Sequence, residues 1–326
     1  MKKLLLISLV LLTLYGCVPS PVVATVNGES LDASEFAFYM NYQLMSREEG
    51  EEIGEEELAQ IKETALSQMI TNTLIRQKCE KYGLELTKET EENIKNLKKE
   101  FIETLGGTAK YLDFLNESAM NDRTYDKSQE NPYYQNMLRT YLTENTDLPE
   151  TIGFTDEKLR QYFSENYVKL KYIFISAVNE NGEPLSPSEY NDMQEFARVV
   201  AEGSREENKD FDQLIEKYNS DSQMSLNPDG LVYSKEELLE TEVFKNVLDL
   251  QENEIGGPYS SDEGFYIIKR IPVDAGYFDS HKEQIERDAE NNRYEALIEE
   301  WKASSTIKVS EVYKKIDHLN YKDYIK

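Results

Sequence analysis

Apolar residues recur at intervals of three and four between positions 58 and 74. Leu58, Ile61, Ala65, Leu66, Met69, Ile70, Thr73 and Leu74 share one side at 3.6 residues per turn, so the spacing predicts an amphipathic helix. Upstream, Val22-Val23-Ala24-Thr25-Val26 is a strand-forming run ending at Asn27-Gly28, a tight-turn dipeptide, and Glu29-Ser30-Leu31 follows. Asp32 and Ser34 are candidate caps for a helix through Phe36, Phe38, Tyr39 and Met40. The acidic stretch 48–57 reads as a loop leading into the helix at Leu58. Gly83 ends that helix, Thr87 starts another, and Gly106-Gly107 stops it near Leu105. Residues 110–145 stay helix-like, with Pro132 interrupting.

After Pro149 the pattern changes. Thr155 caps a short helix over 156–166, and Leu170-Lys171-Tyr172-Ile173-Phe174-Ile175 reads as a strand. Helices are predicted over 188–203, 211–218 and 241–250. Short strands are predicted at Leu231-Val232-Tyr233, at 256–259 and at 264–271, the last two joined by a turn at Ser261-Asp262-Glu263-Gly264. This order suits a compact α+β domain of about 105 residues. From His281 to Ser304 the chain is again amphipathic, with Ile285, Ala289, Tyr294, Leu297, Ile298 and Trp301 on one side, and Thr306–Val309 is strand-like. The layout implies a helical lobe built from both chain ends, with an α+β domain inserted between them.

Composition narrows the function classes. The chain's 326 residues allow about two domains at roughly 150 residues each. Lys and Arg total 36 against 63 Asp and Glu, a net charge of −27. Nucleic-acid binding needs cations to neutralise phosphates, so that partner class is excluded. Anionic lipid headgroups are repelled too, and membrane attachment then requires a covalent or apolar anchor. Met1-Lys2-Lys3 followed by apolar Leu4–Tyr15 reads as an export leader too short to span a bilayer. It closes on Leu14-Tyr15-Gly16-Cys17, which resembles a bacterial lipobox with Cys17 as the acylated residue, although Tyr15 is bulkier than the small residue usual there. An ordinary secretory peptide cut nearby is the competing reading. With Cys17 lipidated, Cys79 stands alone and no internal disulfide can form.

The run Val23-Ala24-Thr25-Val26-Asn27-Gly28-Glu29-Ser30-Leu31 and its following helix resemble the opening of PrsA/SurA-type foldases. Residues 169–272 resemble a parvulin (PpiC-like) domain. Its HILI strand appears as Tyr172-Ile173-Phe174-Ile175, and its YSxD step as Tyr218-Asn219-Ser220-Asp221. Its GEIS-P turn appears as Asn253-Glu254-Ile255-Gly256-Gly257-Pro258, and its GYHIIK strand as Gly264-Phe265-Tyr266-Ile267-Ile268-Lys269. The resemblance covers nearly the whole mature chain. It implies an α+β fold: a helical chaperone lobe from both chain ends, and an inserted four-stranded antiparallel sheet with helices. The implied boundaries are a leader at 1–17, an N-terminal chaperone region at 18–166, the PpiC-like domain at 167–273 and a completing helix and strand at 274–326. The implied function is an extracytoplasmic folding factor of the peptidyl-prolyl isomerase family, lipid-anchored to the bacterial cell membrane. Its partners are unfolded or partly folded exported proteins, and it needs no cofactor or metal. Monomer and homodimer both stay open.

The departures from the family bear on activity. Parvulins carry a histidine on the first and on the last strand, whereas Tyr172 and Tyr266 stand here, and His281 and His318 both lie outside the domain. The acidic position is kept as Asp221. The resemblance makes Asp221, Tyr172 and Tyr266 the candidate catalytic residues. It assigns the proline pocket to Leu239, Val243 and Leu248, with Phe244 one position off the pattern. Turning an X–Pro bond crosses a barrier near 20 kcal/mol without breaking a covalent bond. An apolar pocket and stabilisation of the twisted imide suffice, and no proton acceptor is required. Tyrosine hydroxyls keep a hydrogen bond but cannot become cationic near neutral pH, so the expected balance shifts from isomerase towards holding activity. The 22 Tyr, 12 Phe and 8 Met residues suit adaptable apolar contacts, although most belong to cores. The alternative class is a non-enzymatic solute- or metal-binding lipoprotein. Its acidic run Glu48-Glu49-Gly50-Glu51-Glu52 lacks the alternating pattern of a calcium loop, and no His/Cys cluster suits zinc. A Ser-His-Asp hydrolase has no G-x-S-x-G motif to build on.

Overall fold

The computed structural model describes residues 20–45, 47, 52–179, 181–207 and 209–325. Cys17, its leader and most of the acidic run after Arg47 lie outside the described residues. The described residues up to Gly153, together with those from Asn291 onward, form one compact unit, and Phe154–Glu290 form a second.

The first unit opens with β1 (Val22–Val26) and β2 (Glu29–Asp32), joined by Asn27 at φ 53° and Gly28 at φ 91°. A turn with two positive φ values favours this Asn-Gly pair. Asp32 caps α1 (Ala33–Leu44) by accepting the Glu35 N–H at 2.9 Å. Then come α2 (Glu55–Lys81), α3 (Lys88–Leu105), α4 (Thr108–Glu117) and α5 (Asp122–Glu144). Thr87 caps α3, and Gly106 ends it in the left-handed region at φ 96°. Pro132 does not interrupt the helix as the sequence suggests, because α5 runs through it. The break falls earlier, where Ala119 takes φ 55° and the Asn121 side chain accepts the Thr124 N–H at 2.8 Å to begin a new helix. Beside the proline, Arg76 of α2 donates to Asn131 Oδ1, Glu130 Oε2 and the Lys127 carbonyl, which holds this stretch against α2.

The second unit begins with α6 (Asp156–Asn166), capped by Thr155, and β3 (Tyr167–Ser176). There follow α7 (Pro187–Ser204), α8 (Phe211–Tyr218), α9 (Gln223–Leu226), β4 (Leu231–Ser234) and α10 (Lys235–Glu240). A 3-10 turn over Phe244–Asp249 leads to β5 (Ile255–Ser260) and β6 (Gly264–Ile271). In place of the single helix expected over 241–250, α10 ends at Glu240 and only a 3-10 turn forms within that stretch. Ser234 and Glu237 form a capping box that starts α10 early, and the β-branched Thr241 and Val243 stand in the break after it. Sheet order is β4-β3-β6-β5, all antiparallel. Although the sequence boundaries grouped residues 156–166 with the first lobe, Leu159 of α6 packs with Tyr167, Phe278, Ile285 and Ala289 in the second unit.

α11 (Ala275–Ser304) bends at His281, and its later residues Tyr294, Leu297 and Trp301 enter the core of the first unit. There β7 (Ile307–Val309) joins the first sheet in the order β2-β1-β7, followed by α12 (Glu311–Lys315) and a 3-10 turn at Tyr321–Tyr324. Ala24 pairs with Val309 and Val26 with Ile307, so both chain ends build one lobe around Phe36, Met40, Met69 and Leu138.

Glu150 ties the segment after α5 to the end of α2. It accepts from Lys78 Nζ at 2.6 Å, Lys81 Nζ at 3.3 Å and the Tyr82 hydroxyl. Burial alone would raise its pKa, but these donors outweigh it and hold the carboxyl at about 2. The folded pKa lies below the unfolded one, so the stabilisation is full above about pH 4.5 and is lost as pH falls towards 2. Glu150→Gln is expected to cost about 1–2 kcal/mol at pH 7 after solvent screening, with the deficit shrinking below pH 4 in urea unfolding series. A pH-independent deficit would contradict this account.

Candidate functional site

Alternation along β3 and β6 sorts the second unit's apolar residues onto two faces. Tyr172 pairs with Ile268 and Phe174 with Tyr266, and these four side chains share one face with Val168 and Leu170. Ile173, Ile175, Phe265 and Ile267 point the other way, against Ala197 and Ala201 of α7 and Phe211 of α8. Met224, Leu238, Val243, Val247 and Leu250 complete the core beneath the first face.

β4 pairs only with residues 167–170, so the rest of that edge of β3 must find other partners. The loop after α8 supplies them. Asn219 Oδ1 accepts the Phe174 N–H at 2.7 Å, the Ser220 N–H donates to the Phe174 carbonyl at 2.8 Å, and Met224 Sδ lies 3.4 Å from the Tyr172 nitrogen. This docking brings Asp221 to Tyr172, whose hydroxyl donates to Asp221 Oδ2 at 2.7 Å. Asp221 Oδ1 accepts the Gln223 N–H at 2.9 Å and Asn219 Nδ2 at 3.3 Å. Burial first, then the bond to Asp221, pushes the Tyr172 phenol far above its ordinary value. Tyr266 moves the same way, through burial and then the charges of Asp221 and Glu263.

The rings form a continuous layer. Tyr266 stands 4.7 Å from Phe174, 5.4 Å from Tyr172 and 5.5 Å from Phe244, measured between centroids, and Phe244 is 5.3 Å from Tyr172 and 5.9 Å from Tyr233. Tyr172 and Phe174 are buried, whereas Tyr233, Phe244 and Tyr266 are half-buried. A close backbone approach supports the shelf from β5: a Cβ on Gly257 (φ 99°) would fall 2.4 Å from the Tyr266 carbonyl oxygen.

Comparison with known proteins agrees with this layout. The SurA-like N-terminal domain family matches residues 4–110, and the PPIC-type PPIASE domain family matches residues 177–272. These two domain models fall on the two regions in which the sequence resembles PrsA/SurA-type foldases. Foldase protein PrsA of Clostridium kluyveri is 25% identical over 344 residues, covering 93% of this chain and 94% of the relative. Foldase protein PrsA of Clostridium botulinum is 24% identical over 328 residues, covering 89% and 88%. Among solved structures, peptidylprolyl isomerase (PrsA) of Bacillus cereus aligns at 14% identity and TM-score 0.38, covering 94% of this chain and 99% of the other.

Of the sequence-assigned residues, the PPIC-type unit brings together Tyr172, Tyr266, Asp221 and Phe244. Val243 is buried below them and Leu248 packs at the margin. Leu239 does not join: it is 63% exposed, and its neighbour Leu238 is fully buried. Successive residues on a helix point about 100° apart, so α10 can turn only one of the two inward. Residues the motif reading did not assign to the site are Phe174, Tyr233, Met224 and Asn219. Phe174 was within reach, since counting two from Tyr172 places it on the same face.

Tyr172→Phe is expected to destabilise the unit by about 1.5–3 kcal/mol near neutral pH, because a buried bond to a charged acceptor is lost. The folded phenol titrates above the unfolded one, so its contribution persists below about pH 10 and declines at higher pH. Denaturant unfolding of both proteins between pH 7 and 11 would show the gap narrowing. No gap at neutral pH would remove the bond from the energetics.

Proposed function

We propose that this chain is an extracytoplasmic folding factor that holds unfolded or partly folded exported polypeptides. Its PPIC-type unit engages prolyl segments on an aromatic shelf and turns them over slowly. One observation carries this reading: the Tyr172–Asp221 bond lies inside a layer of rings at 4.7–5.9 Å, so aromatic rings stand where a proline pocket was expected. A prolyl ring can stack on the half-buried Tyr266 and Phe244. The Asp221 carboxylate is already satisfied by the Tyr172 hydroxyl, the Gln223 N–H and Asn219. The polar network that would tune an imide-facing group is thereby spent on fixing the site.

Holding activity rests with the first unit. Tyr42, Met45, Leu112 and Leu319 expose large apolar side chains there, and a cavity of about 260 Å³ has Leu86 and Ile94 among its lining residues with Lys98 and Asp126 at the charged part of its wall. The strong negative charge keeps such a holder soluble while its apolar surface is occupied. Among the described residues, no helix is long and apolar enough to cross a membrane, and no cluster of His, Cys, Asp and Glu could hold a metal ion. Attachment is assigned to acylated Cys17, in keeping with the lipobox pattern.

Prolyl isomerisation by the purified protein, followed by NMR exchange on a Pro-containing peptide, is expected to be about 10–100-fold slower than by a histidine-bearing parvulin. Tyr172→His combined with Tyr266→His should raise it. A rate equal to that of the histidine-bearing enzyme would show that the tyrosines are competent substitutes and end this reading of the site.

Suppression of aggregation of a denatured client should largely survive deletion of residues 169–272, provided circular dichroism shows the remainder folded. Complete loss of suppression in that folded remainder would move the holding surface out of the first unit. Cys17→Ala is expected to shift the protein from the membrane to the soluble fraction, and unchanged membrane retention would refute the anchor.

A further inference from the structure

The charges around the shelf suggest which prolyl segments it takes. Asp221, Glu237 and Glu263 flank the rings, and among the described residues none of the three forms an ion pair. Asp221 is held by neutral donors, Glu237 accepts the Ser234 N–H at 2.6 Å, and the contacts recorded for Glu263 are through its backbone. Glu237 acts electrostatically on Tyr233, and Asp221 and Glu263 on Tyr266.

Several aromatic rings elsewhere in the chain are treated differently. Lys62 lies over Tyr313, Arg76 over Tyr134, Lys78 over Trp301, Arg139 over Tyr294 and Arg160 over Phe278, at 4.2–4.8 Å from the ring centroids. Among the described residues, no lysine or arginine lies over Tyr172, Phe174, Tyr233, Phe244 or Tyr266. Lys235 and Lys245, on neighbouring segments, are exposed and make no such contact. Arg205, the cation that acts on nearby Tyr259, is committed to the Ile255 and Gly257 carbonyls. The shelf therefore combines half-buried rings over which no cation lies with carboxylates that form no ion pair among the described residues. Both features attract a cation, and the ring quadrupole favours a planar guanidinium that can stack.

We infer that the shelf selects prolyl segments with an arginine or lysine beside the proline, the side-chain cation lying between the exposed faces of Tyr266 and Phe244 and the carboxylate of Asp221. This rests on the prolyl-shelf reading above and adds the substrate class. Arginine should be preferred to lysine. The preference should weaken with added salt, because the carboxylates are only partly buried.

The test uses the full chain and three short peptides of the same length, with Arg, Ala or Glu next to proline. NMR shifts of the tyrosine and phenylalanine rings serve as the readout. At low salt the Arg peptide is expected to bind at least about fivefold more tightly than the Glu peptide, while shifting the ring resonances of Tyr266 and Phe244. The net charge of the whole chain would also draw cationic peptides, so two single-charge variants separate the effects. Asp221→Asn should reduce the preference to about twofold or less, and Glu283→Gln, at a position 94% exposed on α11, should leave it intact. The double variant Glu237→Gln with Glu263→Gln gives a second route should Asp221→Asn fail to fold, and should also diminish the preference. If the Ala peptide moves the rings but Arg and Glu peptides bind equally, the inference is overturned and the prolyl shelf stands. Equal losses in Asp221→Asn and Glu283→Gln would likewise overturn it. If no prolyl peptide moves the rings, the shelf reading itself falls.

Discussion

The antiparallel pairing of β1 with β7 is the constraint on which the first unit depends. It joins residues 24–26 to residues 307–309, and side chains reinforce it at both ends of the ladder. Asn27 donates its N–H to the Thr306 carbonyl at 3.0 Å and accepts the Thr306 N–H on Oδ1 at 2.9 Å, while the Ser310 hydroxyl donates to the Val22 carbonyl at 2.6 Å. Closing a loop of this length costs entropy that grows only slowly with the number of residues. A compact inserted unit is therefore tolerated, provided the ends meet a shared core. That core exists because α11 delivers Tyr294, Leu297 and Trp301 to the same cluster as Phe36 and Met69.

In the second unit the decisive event is local. β4 covers only the first part of β3, and the exposed remainder of that edge recruits the Asn219–Asp221 loop. The carboxylate is thus delivered to the sheet face by backbone satisfaction rather than by attraction to a cation. A tyrosine at position 172 then has its hydroxyl within reach of that carboxylate, and the bond is partly buried, which strengthens it. The ring also packs against Phe244 and Tyr266, which extends the aromatic layer on this face. The chemistry available there is apolar stacking beside the Asp221 carboxylate, which already accepts the Tyr172 hydroxyl.

In the proposed reading the two units divide the labour on physical grounds. Polypeptide holding needs apolar surface on a soluble body, which the first unit offers. Prolyl recognition needs a flat apolar face of defined composition, which the second unit offers on one side of its sheet while burying the other beneath α7 and α8. The inferred preference for cationic prolyl segments would give that face a chemical bias that composition alone spreads over the whole surface.

Local patterns in the sequence determined much of this architecture. The Asn27-Gly28 turn, the caps at Asp32, Thr87 and Thr155, the Gly106 stop and the period-two strands all follow from backbone preferences that act over a few residues. The meeting of both chain ends was legible only in the layout of the whole chain, and Tyr172, Tyr266 and Asp221 as one group only through motif order, because neither follows from local spacing. The tertiary structure alone decided that Leu238 rather than Leu239 turns inward and that Phe174 and Tyr233 extend the aromatic layer. It also decided that α5 continues through Pro132 beside Arg76, and that Asp221 forms no ion pair among the described residues. These outcomes depend on which surfaces press together across long stretches of chain, where packing and hydrogen-bond satisfaction override the preference of any single residue.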